Sequence, residues 1–206
     1  MAAVPPAPPR TTAPLVLASA SPRRLELLRQ IGVEPAAVVP AEIDEAPRRR
    51  EPPVAYARRV AREKAAAVAP RHPDAFVLAA DTVVAVGRRI LPKADDAATA
   101  RRCLELLSGR RHRVLGALVL AAPDGRRAER LVTTVVTFKR LHPGEIEAYL
   151  AGGEWRGKAG GYAIQGRAAA FIPRINGSYA NVVGLPLAET AALLVGLGYR
   201  GPGGPP

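Results

Sequence analysis

Two short apolar runs with no polar alternation constrain this chain most. Leu15-Val16-Leu17-Ala18 and Phe76-Val77-Leu78-Ala79-Ala80 are too short for helices and read as buried strands. After the first, Ser21-Pro22 is a cap and first-turn signal, and Leu25, Leu28 and Ile31 recur on one face until Gly32. The second ends in Asp81-Thr82, and residues 83–86 carry it toward a turn at Gly87. Helical spacing returns at 54–69, with Ala57, Val60, Ala61, Ala65 and Val68 inward, then at 96–107, from Pro143, and near 188–197. Val38-Val39 reads as a brief strand, 42–53 as a polar, Pro-interrupted loop, and Phe171-Ile172 as a late strand. Residues 114–121 and 131–138, joined through Pro123-Asp124-Gly125, read as a hairpin. Helices alternating with strands, with one hairpin intruding, predict an α/β class: a single domain whose mixed, elongated, twisted sheet is flanked by helices.

That domain is expected over residues 14–199, between a disordered Pro-rich tail (1–13) and a flexible Gly/Pro tail (200–206). Ala18-Ser19-Ala20 imitates a signal-peptidase site, but the start is proline-rich and its apolar part too short for a leader. No run approaches the roughly 18 to 20 apolar residues that span a bilayer. A single cysteine, Cys103, excludes an internal disulfide framework, and three histidines make a His-rich metal site unexpected. These features predict a protein of a reducing compartment, the cytoplasm. The formal net charge of +12 speaks of partners rather than fold. With one Trp, five Tyr and three Phe there is little to stack bases against, so nucleic acid is not the expected partner.

Three segments can carry chemistry. In Ser19-Ala20-Ser21-Pro22-Arg23-Arg24, two arginines stand in a helix's first turn, where the dipole prefers anions; a bound phosphate would remove that cost, and a serine cap with solvated arginines is the alternative. Asp81 closes a buried apolar run, which is costly without a metal or a cation; the alternative is a capping aspartate. Glu42, Asp44 and Glu45 on a loop, or Asp95 and Asp96 beyond Lys93, could share a hard divalent ion with it. Gly152 to Lys158 has the spacing of a phosphate loop, but Ala159 replaces the required Ser/Thr and a helix precedes it, so a P-loop ATPase is rejected. Lys158 can still approach a phosphate, and Gln165 a base edge. Lys64, late in a helix, alone reads as a surface lysine. His112 with Ser21 and Asp81 invites a catalytic triad, but neither serine has a G-x-S-x-G elbow. Cys103 reads as a small buried hydrophobe.

Taken together, LASASPRR (17–24), EIDE (42–45), AREKA (61–65), AADTVV (79–84), SGRRHRV (108–114), GKAGGYAIQG (157–166) and NGSYANVVGLPL (176–187) closely resemble the Maf family of nucleotide pyrophosphatases. The resemblance covers nearly the whole folded part, in the family's order. It implies a house-cleaning hydrolase that splits a nucleoside triphosphate between its α- and β-phosphates, with a divalent metal (Mg2+, Mn2+ or Co2+), as a homodimer. By motif position it makes Asp81 the catalytic aspartate, acting as general base or water positioner. Glu45 would help Asp81 hold the ion, and Lys64 and Lys93 would face the phosphates. Ser19, Arg23, Arg24 and Lys158 would contact phosphate or substrate, and Arg23, Thr82 and Gln165 would choose the base. The K-A-G-x-Y-x-I-Q-G form resembles the branch acting on dTTP and UTP, with modified pyrimidine nucleotides as further substrates. Leu91-Pro92-Lys93-Ala94 departs from the usual L-G-K-P, which changes the bend of the Lys93 loop, and Glu154-Trp155 replaces a commoner acidic-Pro pair. A non-catalytic basic protein that binds nucleic acid or division machinery is the competing expectation, motivated by the charge alone.

Overall fold

The structure, a computed structural model, describes residues 12–201. The apolar runs become β1 (Leu15–Ala18) and the first half of β3 (Phe76–Val86), joined by α1 (Pro22–Gln30), β2 (Ala37–Val38) and α2 (Pro53–Val68). Then come β4 (Arg89–Leu91), β5 (Lys93–Ala94) and α3 (Ala97–Leu107), whose first turn is capped by the Asp96 side chain. The expected hairpin is β6 (Arg111–Ala121) and β7 (Arg127–Thr137), followed by α4 (Pro143–Ala151), β8 (Lys158–Ala159), β9 (Arg174–Asn176), α5 (Tyr179–Val183) and α6 (Leu187–Leu197).

Among the described residues, one sheet of seven strands has the order β2-β1-β3-β6-β7-β9, with β4 paired to β3. β1 lies parallel to β2 and β3, and the other pairings are antiparallel, so the sheet is mixed as expected. Strand alternation sorts the core. Leu15, Leu17, Phe76, Leu78, Leu118 and Leu120 face one side with α1 and α6, whereas Val16, Ala18, Val77, Ala79, Ala117 and Val119 face α2. The far ends of β3, β6 and β7 join α3, α4 and the segment after α4 in a third cluster around Leu104, Leu107, Phe138 and Tyr149.

Two expectations need correction. Asp81 does not close a strand: β3 runs through it to Val86, paired all along to β6, with Asp81 opposite Ala117. Phe171 ends a 3-10 turn (Arg167–Phe171), and the late strand is Arg174–Asn176. There Gly177, at φ 124°, lets the chain pass Thr134 where a Cβ would come within 2.9 Å of its hydroxyl. The expected tails lie outside the described residues, apart from 12–13 and 200–201.

Candidate active site

The site sits where the sheet changes partner. β1 ends at Ala18, opposite Ala79, and β4 begins pairing only at Val84. Between these points one edge of β3 is left to side chains and to the loop after β1, the kind of break at which α/β sheets place ligands. A cavity of about 340 Å³ opens there, within the usual size range of small-molecule sites. Its walls include the ten residues to which the resemblance gives a role: Ser19, Arg23, Arg24 and Thr82 on one side, Glu45, Lys64 and Asp81 on another, and Lys93, Lys158 and Gln165 at the third.

Alternation puts Asp81 and Thr82 on opposite faces of β3. Asp81 faces α2 and is buried, and Lys64 Nζ donates to its Oδ1 at 2.9 Å. The same ammonium pairs with Glu45 Oε1 at 2.9 Å, and Lys93 Nζ donates to Glu45 Oε2 at 2.7 Å. Charges thus alternate from the sheet to the small β5–β8 ribbon: Asp81, Lys64, Glu45, Lys93. Burial pushes the Glu45 carboxyl up, but the bonds and charges of Lys93 and Lys64 outweigh it and hold Glu45 below the usual glutamate value. Tyr56 fixes the loop here by donating to the Glu45 carbonyl at 2.8 Å.

Thr82 faces the other way, toward α1. Arg24 is buried there, donating from Nε to the Gly184 carbonyl at 3.0 Å, from Nη1 to Ser19 Oγ at 2.8 Å and from Nη2 to Thr82 Oγ1 at 3.1 Å. Arg23 Nε donates to the Val183 carbonyl at 3.3 Å. The two arginines that oppose the α1 dipole therefore face the carboxyl end of α5, whose carbonyls carry the opposite partial charge. Burial pulls both guanidinium values down, for Arg24 against the raising charge of Asp81. Among the described residues the terminal nitrogens of Arg23 meet no acceptor, unlike those of Arg24.

The glycine-rich segment closes the third wall. β8 pairs with β5, setting Lys93 opposite Ala159 and Ala94 opposite Lys158. Gly160, at φ 68°, lies so close to Val84 that a Cβ would come within 2.9 Å of its Cγ1. Burial, then the positive charge of Arg23, pulls the Lys158 value down, which marks two cations converging on one space. Gln165 stands exposed at the mouth, with Tyr162 buried before it. The Tyr162 hydroxyl meets His112 Nε2 at 2.8 Å, and burial pushes His112 down to about 4. His112 is therefore a neutral core residue bonded to Tyr162, and neither Ser21 nor Asp81 is its partner. Cys103 is buried as expected, and the segment before Gly152 is helix α4, which keeps the P-loop excluded.

Glu42, Asp44, Asp95 and Asp96 stay out of the cavity lining. No cluster of three or more His, Cys, Asp and Glu suited to a metal occurs among the described residues. The donor set still fits a hard divalent cation. Asp81 and Glu45 converge on one ammonium, and magnesium is commonly held by one or two carboxylates plus substrate phosphates rather than by a protein cage. Sequence reasoning missed the burial of Lys64 and the role of the Val183 and Gly184 carbonyls. The first had a signal: Lys64 lies four residues after Val60 and four before Val68, on the apolar face of its helix. The second had none, because α5 is only five residues long.

Residues 14–197 match the family described as Maf-like protein. The dTTP/UTP pyrophosphatase of Rhodospirillum rubrum is 67% identical over 191 residues, covering 93% of this chain and 91% of that protein. That of Paramagnetospirillum magneticum is 68% identical over 185 residues, covering 90% and 97%, and that of Caulobacter vibrioides 63% over 186, covering 90% and 96%. A solved nucleoside-triphosphatase / dITP/XTP pyrophosphatase from Mycobacterium abscessus overlaps 62% of this chain and 74% of that one, at TM-score 0.39 and 23% identity. With a family match that spans nearly all the described residues, and relatives this similar over more than nine tenths of their length, the chain belongs to the Maf-like family.

Proposed function

We propose that this protein hydrolyses dTTP and UTP, and modified pyrimidine triphosphates of the same shape, to the monophosphate and pyrophosphate. The observation that carries this reading is the cavity itself: a carboxylate pair bridged by Lys64 and ringed by Arg23, Lys93 and Lys158. A triphosphate brings several negative charges, so cleavage is mostly positioning and charge stabilisation. The names of the relatives supply the bases, dTTP and UTP.

In this reading Arg23, Lys158 and Lys93 hold the phosphates from the open sides. Asp81, kept on the α2 face by Lys64, holds the attacking water and takes its proton as that water reaches the α-phosphorus. Glu45, with Asp81, would hold a divalent cation (Mg2+, Mn2+ or Co2+). Bound there with the substrate, such a cation would neutralise phosphate charge and acidify water. Gln165 and Thr82 would meet the base. The opposed reading, a basic protein without catalysis, does not account for one buried and one half-buried acid at the centre of the cations. A homodimer in the cytoplasm completes the proposal: the dimer rests on the family resemblance, and the compartment on the single buried cysteine. No helix among the described residues is long and apolar enough to cross a membrane.

The test is a panel of nucleoside triphosphates with magnesium, manganese or cobalt, following pyrophosphate, alongside sedimentation for the dimer. Release from UTP and dTTP, with CTP and purine triphosphates well behind, is expected. Release from none of them removes the proposal.

A further inference from the structure

Arg24 differs from the other cations of the cavity. Each of its three nitrogens donates to a protein oxygen, and none of those oxygens is a carboxylate's. A guanidinium has donors and no acceptor, so it dictates which way its hydroxyl partners can point.

Ser19 Oγ accepts from Arg24 Nη1 at 2.8 Å and from the Ser21 backbone N–H at 3.2 Å. Both of its lone pairs are then occupied, and only its proton is left to offer. Thr82 Oγ1 accepts from Arg24 Nη2 at 3.1 Å and donates to the Gly184 carbonyl at 3.4 Å. Its proton is engaged, and one lone pair is left. Both hydroxyls line the cavity. One buried side chain thus makes Ser19 a donor and Thr82 an acceptor, on two different elements.

We propose that Arg24 is a positioning residue that fixes the polarity of both hydroxyls, Ser19 as donor to a phosphate oxygen and Thr82 as acceptor from a ring N–H of the base. The base half rests on the pyrophosphatase reading. Uracil and thymine carry a proton on N3 and satisfy Thr82, whereas cytosine presents a bare N3 lone pair and leaves two acceptors facing each other. Polar mismatch of this kind discriminates better than shape, because the buried group is left unpaired. Arg24 itself need not touch the substrate.

The experiment compares Ser19→Ala, Arg24→Lys and the double variant. Calorimetry follows binding of inorganic tripolyphosphate, and kinetics compare UTP with CTP. Lysine keeps the charge but cannot hold two hydroxyls and a carbonyl in one plane. Each single variant is expected to weaken tripolyphosphate binding by about tenfold, the scale of one charge-assisted hydrogen bond. The double variant is expected to be little worse than Arg24→Lys, because Arg24 acts through Ser19. On UTP the loss in Arg24→Lys falls on KM more than on kcat, and the UTP-over-CTP preference shrinks. Multiplying losses in the double variant overturn the proposal, as does an unchanged base preference beside a lowered melting temperature. If the wild type releases no pyrophosphate from UTP while the tripolyphosphate losses still fail to multiply, the pyrophosphatase reading falls and the Ser19 half stands. If Arg24→Lys does not fold, the Ser19→Ala and Thr82→Val pair takes its place. Ser19→Ala is then expected to weaken tripolyphosphate binding and keep the UTP-over-CTP preference, and Thr82→Val to do the reverse; an unchanged preference in Thr82→Val, or a tripolyphosphate loss in it as large as in Ser19→Ala, overturns the proposal.

Discussion

Lys64 holds one buried carboxylate and one half-buried carboxylate on its ammonium. Removing one member of such a buried set leaves the others uncompensated, at a cost of about 3–5 kcal/mol. Lys64→Met is therefore expected to lower the melting temperature sharply, and excess magnesium to restore part of the loss by sitting between the freed carboxylates. A melt indifferent to magnesium would count against Asp81 and Glu45 as cation ligands. Asp81→Asn is the contrasting case, because the amide oxygen can still accept from Lys64. Its melting temperature should hold while pyrophosphate release falls by roughly 10² to 10⁴, the usual worth of a general base. Full activity would remove Asp81 from that role. Of these two residues, Asp81 was legible in the sequence because an acid interrupts an apolar run. Lys64 was legible only through its helix face: a lysine at an inward position either snorkels or finds an acid, and the acid is seventeen residues away on another element.

Elements with strong local signals formed where expected: α1 behind Ser21-Pro22, α2, α3 behind the Asp96 cap, and the β6–β7 hairpin. β4, β5 and β8 were illegible because two or three residues carry no periodicity, and pairing with distant partners alone makes them strands. The β5–β8 ribbon still decides where Lys93 and Lys158 stand. Gly160→Ala tests it: a methyl at φ 68° is strained, and Val84 Cγ1 would lie 2.9 Å away. A loss of about 1–3 kcal/mol is expected, with the KM for UTP raised through a displaced Lys158. An unchanged KM would show that the ribbon does not place that lysine. The loop before α2 has its own lock, Arg59 Nε and Nη2 on the Glu51 carboxylate at 2.7 and 2.9 Å. Those bonds hold the Glu51 carboxyl at about 2, against an ordinary 4.5. A depressed folded value means stability present above 4.5 and lost as pH falls toward 2. Glu51→Gln should therefore melt below wild type at pH 7 and approach it at pH 3; a gap that stays constant would take Glu51 out of the acid response.

Across the whole molecule, the three core clusters share β3 and β6, and the cavity opens where β3 passes from one to the next. Its walls come from segments distant in sequence: the loop after β1, the loop before α2, the β5–β8 ribbon and the end of α5. A ligand that touches all four binds only the folded chain and must stabilise it by mass action. Asp81→Asn, which should bind without turnover, allows the effect to be measured. With UTP and magnesium at about a hundred times their dissociation constant, linkage gives about 2.7 kcal/mol, or roughly 5 to 10 °C for a chain of this size. Two controls divide the cavity. Chelating the metal should remove most of the shift, because Glu45 then faces the triphosphate as a bare anion. Adding Arg23→Ala should lower what remains, because Arg23 has terminal donors that the fold does not use. A shift that persists unchanged through chelation rules out a metal-dependent grip, and no shift at all means that these walls do not close on a triphosphate.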